Sequence, residues 1–374
     1  MTTRNSTPIP ARIARVRETL AGWGVSALLV NSPDNRRWLS GFTGSAGWLL
    51  VTPDQALLAT DFRYWDQAQA QAPDFTLFRL KQEQKVTDML ATIAPTSVAV
   101  EANHLTLHGF KDLQKVDGIE WKPLEQTVEP FRMVKSPAEV AQIRAAAAIT
   151  DRVMSSVPAL ARPGQPEKEL AWLLEKSLRK NGATGMAFPV IVASGPNAAL
   201  PHHRPGDRAL QEGDTIVVDM GAALDGYNSD LTRTFYLGEE PPQRFWDIYN
   251  LTLSAQTAAL GGMKAGMTGR EIDALARDVI ASAGHADHFG HGLGHGVGLA
   301  IHEDPRLSTR AENDVIPAGA ITTVEPGVYL TGWGGVRLED LVLVTADGIE
   351  RLSHCPKEPL IAVAATNHQP PTTN

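Results

Sequence analysis

IVVDMGA at residues 216–222 with SDLTRTF at 229–235 is followed, further along the chain, by TTVEPGVYL at 322–330 with GVRLEDLVLV at 335–344. Each pair sets two acids into apolar, β-branched runs that read as strands: Asp219 and Asp230 in the first, Glu325 and Glu339 in the second. An ionised carboxylate in an apolar interior must be paired or must coordinate a cation. Too few basic residues stand nearby to pair with all four. A bound metal ion, and more readily two, is therefore expected.

Working outward, the helices repeat as well. ARPGQPEKELAWLLEKSLRKNGA and MKAGMTGREIDALARDVIASAGH align without a gap, with Gly164 and Gly266 offset by 102 and Gly182 and Gly284 offset by the same amount. Each reads as a turn, an amphipathic helix and a glycine C-cap. The acids follow at similar offsets, since 325 − 219 is 106 and 339 − 230 is 109. Two related α/β halves facing each other are implied, with a site between them that takes ligands from both. The shared glycine offsets argue against chance similarity of two amphipathic helices.

Between the acid pairs lies GHGLGHGVGLAIHE, carrying His291, His295 and His302. Its alternating glycines forbid a stable helix, so the four-residue spacing of His291 and His295 is not that of a helical zinc pair. On an extended strand residues four apart are separated by roughly 13 Å, so only one of the two is a ligand of a shared ion. No G-x-G-x-x-G register fits the run either, which removes the dinucleotide fingerprint. His202, in NAALPHHRPGDR, follows the strand-like FPVIVASG, where a loop could fold over a cleft; His203 would point elsewhere. Arg337 lies two residues before Glu339, on the same face of a strand. An ion-pair partner for a carboxylate and an electrophilic helper are equally open roles for it.

At 374 residues the chain suggests two domains or one large one. A hydrophobic content of 43% and a charged content of 20% are those of a soluble globular protein. No apolar run approaches a membrane span and the N-terminus lacks a signal-like apolar stretch, so a cytoplasmic location is expected. Cys355 is the sole cysteine, which rules out an intrachain disulfide and a cysteine-based zinc site and suits a small core residue. The net charge of −8 without a basic cluster argues against nucleic acid as a partner. The tail AATNHQPPTTN and roughly the first ten residues read as disordered.

Before the repeat, residues 12–125 alternate extended and helical signals. VSALLVN, GWLLVT, ALLATD and SVAVE read as buried strands; RYWDQAQAQA, residues 83–93 and LHGFKDLQKV read as helices. This predicts a separate α/β domain over residues 1–130, with a second domain over 131–374. Ser136, Pro137 and Glu139 supply an N-cap, a proline at N1 and a capping-box glutamate, so a long helix starts there.

Four carboxylates and one imidazole form an oxygen-rich set, which favours Mn²⁺, with Zn²⁺ or Co²⁺ as alternatives. Two such ions roughly 3.5 to 4 Å apart would share a water, lower its pKa and present hydroxide to a carbonyl carbon. Metal-dependent amide hydrolysis is the chemistry expected from the residues alone.

In order and spacing, PHHRPGDR, VVDMGA, SDLTRTF, HGLGHGVGLAIHE, VEPGVYL and GVRLEDLVLV resemble the site segments of the pita-bread metallopeptidases: aminopeptidase P, prolidase and methionine aminopeptidase. NRRWLSGFTGSAGWLLVT and LLATDFRYWDQA resemble the extra N-terminal domain of aminopeptidase P and prolidase. The resemblance implies Asp219 and Asp230 on one metal ion, Asp230 bridging to a second held by His295 and Glu325, and Glu339 bridging both. It implies that Glu325 takes the proton from the bridging water, that His302 and His202 face the substrate, and that His291 and Arg337 lie just outside the metals. It also implies a peptide substrate with proline at its second position, and a homodimer. The favoured activity is an Xaa-Pro aminopeptidase, on the likeness of FTGSAGWLLV and TDFRYW, with an Xaa-Pro dipeptidase as the alternative. A metal-free creatinase-type enzyme or a non-catalytic binding module would be expected to lack these acids.

Overall fold

The structure is a computed structural model in which residues 8–362 are described. The disorder expected for residues 1–7 and 364–374 lies outside that range, whereas Ile9 and Pro10 open a helix, Ile9–Trp23, instead of continuing a disordered start. Contacts divide the chain into two units, one ending at Arg132 and the other beginning at Met133.

The first unit is an α/β body around a six-stranded mixed sheet, ordered Thr76–Leu80, Ala56–Asp61, Trp48–Val51, Ala27–Val30, Ser97–Glu101 and Glu120–Leu124. Its four central strands are the apolar runs expected from the sequence. Ala27–Val30 runs antiparallel to Trp48–Val51 and parallel to Ser97–Glu101. Leu29, Leu50 and Val98 pack with Met89 and Leu90 of the helix Val86–Ile93 in one core. RYWDQAQAQA is not a single helix: Asp61 accepts from Arg63 N, a 3₁₀ turn covers Phe62–Tyr64, and the α-helix is Trp65–Gln71.

In the second unit the helix Pro137–Met154 begins at Ser136, whose hydroxyl accepts from Glu139 N while the Glu139 carboxylate accepts from Ser136 N at 2.8 Å. The repeat then appears with matching details. Glu167–Lys180 and Gly269–Ser282 are both 14-residue helices. Leu170, Leu174 and Leu178 are fully buried on the first, and Ile272, Ala276 and Ile280 on the second. Each large apolar side chain so buried contributes about 1.5–3 kcal/mol. Both helices end the same way, with Ala183 N donating to Leu178 O and His285 N to Ile280 O, each at 3.1 Å. That closure needs a left-handed residue, supplied by Gly182 (φ 102°) and Gly284 (φ 82°). The turns before the helices also match, Gly164 N donating to Leu210 O and Gly266 N to Ile316 O.

The sheets repeat with the helices. Ile191–Ser194, Thr215–Met220 and Leu231–Leu237 lie side by side in a four-stranded sheet; Gly294–Gly296, Ile321–Val324 and Asp340–Val344 do so in a five-stranded one. In the first half Thr215–Met220 runs antiparallel to both neighbours, and in the second Ile321–Val324 does the same. Ile216, Val218 and Phe235 join the first helix in one core, and Val324, Val342 and Val344 join the second in another. Each half is thus a helix packed on a sheet.

Candidate metal centre

The acids sit where the strands of the two halves meet. Asp219 is the penultimate residue of Thr215–Met220, Asp230 immediately precedes Leu231–Leu237, and Glu325 immediately follows Ile321–Val324. Glu339 lies between Gly334–Arg337 and Asp340–Val344. A cross-connection locks the halves: Glu339 N donates to Thr232 O at 3.1 Å, and Thr232 Oγ1 donates to Glu339 Oε2 at 2.7 Å. Arg233 bonds the carbonyl of Glu339 and pairs with Asp340 at 2.8 Å, holding the strand after Glu339 against the first half.

Asp219, Asp230 and Glu339 each offer one oxygen, and these oxygens all lie within 4.8 Å of one another. Among the described residues no other group of three histidines, cysteines or acids meets that geometry. His295 Nε2 lies 3.6 Å from Asp230 Oδ2 and 3.3 Å from Glu325 Oε1, which extends the cluster to five residues. His291 is not in contact with the acids; its Nε2 meets Tyr329 OH at 2.9 Å. His302 stacks edge-on against His295 with ring centroids 4.3 Å apart.

Desolvation pushes the carboxyl groups of Asp230 and Glu339 well above the ordinary range, and repulsion from neighbouring acids adds to it. Burial also raises Asp219, and raises Glu325 to about 7. Burial acts oppositely on the imidazoles, lowering His295 to about 3 and His291 to about 4, so both are neutral near pH 7. Arg337 is the permanent cation placed against this charge, at 2.7 Å from Asp219 Oδ2, and it also donates to Tyr329 OH and Thr232 Oγ1.

One guanidinium does not offset four clustered carboxylates: two like charges about 4 Å apart repel by about 4 kcal/mol at the effective dielectric of a protein. Asp219 Oδ1 and Glu339 Oε1 are moreover buried without a hydrogen-bond partner. Orphaned anionic oxygens, a neutral imidazole and surplus negative charge fit divalent cations.

The glycine run around His295 has a packing reason. A Cβ on Gly294 would meet Thr323 O at 2.1 Å, and one on Gly296 would meet Asp304 O at 2.3 Å. Bare backbone on both sides lets the short His295 strand sit deep between its neighbours. His295 N is held by Thr323 Oγ1, which in turn donates to Glu325 Oε1 at 3.0 Å.

All nine residues singled out from the sequence line one cavity of about 450 Å³. His202 and His302 reach it as exposed loop residues, and Phe188, Pro189, Val190 and Pro201 form an apolar wall. Tyr329 and Thr232 were missed by the sequence reading. Tyr329 lies in the strand Gly327–Leu330, and its role rests on a hydroxyl that meets His291 and Arg337 only in the folded chain. Thr232 likewise carries no mark in the sequence.

The chain resembles known proteins over both units. Residues 12–134 match the creatinase/prolidase N-terminal domain and residues 141–346 match metallopeptidase family M24. The chain is similar to the Xaa-Pro dipeptidase of Pyrococcus furiosus, 33% identical over 335 residues that cover 89% of this chain and 95% of that one. It is similar in structure to an Xaa-Pro dipeptidase from Bacillus anthracis, with a TM-score of 0.92, 38% identity and coverage of 95% and 100% of the two chains. An X-Pro aminopeptidase from Thermotoga maritima gives a TM-score of 0.85 at 35% identity, covering 94% of this chain and all of the other. With a creatinase/prolidase domain ahead of a pita-bread fold, the chain belongs to metallopeptidase family M24.

Proposed function

We propose that this protein is an Xaa-Pro dipeptidase using two divalent cations, Mn²⁺ by preference, held by Asp219, Asp230, His295, Glu325 and Glu339. The observation that carries the reading is the meeting of those acids at one buried point, with oxygens of Asp219 and Glu339 left unpartnered. The sequence alone leans to an aminopeptidase on two N-terminal segments. The relatives named as dipeptidases support the narrower activity better, although the resemblance to an aminopeptidase keeps that alternative in view. We also assign residues 1–130 as the creatinase-like domain and 131–374 as the catalytic one, and extend the reading to a cytoplasmic homodimer.

When bound, divalent cations supply an acidified water and a positive contact for the carbonyl oxygen. The chain supplies the rest. Glu325 takes up the proton of the attacking water and passes it toward the leaving nitrogen. His302, whose imidazole desolvation pulls below its ordinary range, offers a ring N–H to the carbonyl oxygen. His202 faces the substrate from the loop across the cavity. Arg337 and Tyr329 hold Asp219 and His291 in place.

The choice of proline follows from its amide. An X-Pro bond has no N–H, so a site that grips backbone N–H groups at that position loses its handle. The wall of Phe188, Pro189, Val190 and Pro201 suits the ring instead. Arg204 and Arg306 line the same cavity and suit the free carboxylate that distinguishes a dipeptide. The test is an assay of Mn²⁺-loaded protein on Xaa-Pro, Xaa-Pro-Yaa and longer peptides. Turnover confined to the dipeptide is expected; comparable cleavage of the longer peptides would replace this reading with an aminopeptidase.

A further inference from the structure

The first residue of the helix Glu167–Lys180 is an acid with no counterpart in the second half, where the repeat places Gly269. Glu167 is fully buried, yet its carboxylate meets donors on both oxygens. Oε1 accepts from Ser194 N at 2.8 Å, Ser194 Oγ at 2.6 Å and Asn197 Nδ2 at 3.0 Å. Oε2 meets His203 Nε2 at 2.8 Å and accepts from Gly206 N at 3.2 Å. Burial alone would push this carboxyl up, but those hydrogen bonds hold it below its ordinary range. The donors all belong to residues 194–206, the segment that carries His202 across the cavity. On the other side of the same segment, Arg337 Nη1 donates to Pro201 O at 3.3 Å. His202 therefore sits between two anchored neighbours, Pro201 and His203.

We propose that Glu167 is a positioning residue for His202, fixing the loop of residues 195–206 from the helix side so that this imidazole meets the substrate. The proposal rests on the peptidase reading, in which His202 faces the substrate. A buried charge with five directional partners suits this task, because shifting the loop would strand the carboxylate without its donors. His203 is a link in the clamp, with its side chain 14% exposed against 0% for Glu167.

The test uses the full chain loaded with Mn²⁺ and an Xaa-Pro dipeptide. Glu167→Gln turns an acceptor toward His203 and Gly206 into a donor, and His203→Leu removes the link, since leucine has no donor for Glu167 Oε2. Each is expected to lower kcat by roughly 10- to 100-fold through misplacement alone, with KM and metal content near those of the wild type. Adding Glu167→Gln to His202→Ala should cost less than about threefold more, because the clamp acts through His202. In the chelated, diamagnetic protein the His202 imidazole resonance, identified by its loss in His202→Ala, should broaden or split in both clamp variants. Wild-type kinetics in His203→Leu with an unchanged resonance would overturn the proposal, as would full multiplication of losses in the double variant. Should Glu167→Gln fail to fold, His203→Leu carries the test. Failure of the peptidase reading is separate, since it shows as absent Xaa-Pro turnover in the wild type, where the resonance still reports on the clamp.

Discussion

The strand Ile191–Ser194 of the first half and the strand Gly294–Gly296 of the second occupy the same place in the repeat. Ser194 pairs with Ile216, and Gly296 pairs with Thr322, so the register sets His295 where the first half has Ala193. Around Ala193 the strand is apolar and buried, with Val192 where the second half has Gly294. Around His295 the flanking residues are stripped to glycine so that the ring can approach Asp230 and Glu325. The exchange runs the other way at the helix starts, where Glu167 clamps a loop and Gly269 lets the backbone pass Arg306 O, which a Cβ would meet at 2.0 Å. The halves share helices, turns and acid-bearing strands, and they diverge where one supplies the imidazole and the other the loop.

The largest effect expected from breaking this division of labour is at the shared acids. Glu339→Gln should lower turnover by on the order of 10³-fold or more while the protein stays folded, because its side chain joins both halves at the centre of the charge. Circular dichroism beside a dipeptide assay measures both. Retention of near-wild-type activity would mean that the acids do not act together.

Next comes the asymmetry between the strands Ile191–Ser194 and Gly294–Gly296. Gly294→Ala places a methyl against Thr323 O and should destabilise the protein by about 3 kcal/mol, at the upper end of overpacking, with metal binding weakened as His295 is pushed out. Chemical denaturation with metal titration reads it. An unchanged midpoint would show that the glycines are not there for close approach.

A pH test addresses the acids without mutation. In the chelated protein Glu325 is raised to about 7, and Asp230 and Glu339 stand well above their ordinary range, chiefly through burial. The unfolded chain releases these protons near pH 4, so between about 4 and 7 it binds fewer protons than the folded chain does. Stability is then fully present below the unfolded values and is lost as pH rises through the folded ones. The buried neutral His291 and His295 work the other way below about pH 6.5, so melting of chelated protein should occur several degrees lower at pH 8 than at about pH 6.5, and Mn²⁺ should remove that decline. A flat profile without metal would contradict the charge cluster.

The smallest effect sharpens the likeness of the halves. Gly182→Ala and Gly284→Ala each force a non-glycine residue into the left-handed region at a matching helix end, and each should cost about 1 kcal/mol. Unequal costs in thermal melts would show that the two caps are alike in shape only.

Much of this was legible because the pattern was carried by residue types with few alternative uses. Acids inside β-branched runs, glycines at a fixed offset and the Ser136 to Glu139 cap each admit few physical readings. The edge strands Thr76–Leu80 and Glu120–Leu124 were not read, since their half-exposed faces mix polar and apolar residues and carry no clean period. The helix Ile9–Trp23 was partly lost to a proline-rich start that instead serves as its first turn. Tyr329 escaped because its value lies in a hydroxyl shared by His291 and Arg337, a relation created by folding. Glu167 looked like one more first-turn acid, and only its burial among five donors separates it from Glu169 on the same helix.

The most direct measurement is anomalous diffraction at the manganese edge from crystals grown with Mn²⁺. The account predicts two peaks per chain, enclosed by Asp219 and Asp230 from the first half and by His295, Glu325 and Glu339 from the second. No peak there, or a single ion bound by the acids of one half alone, would contradict it.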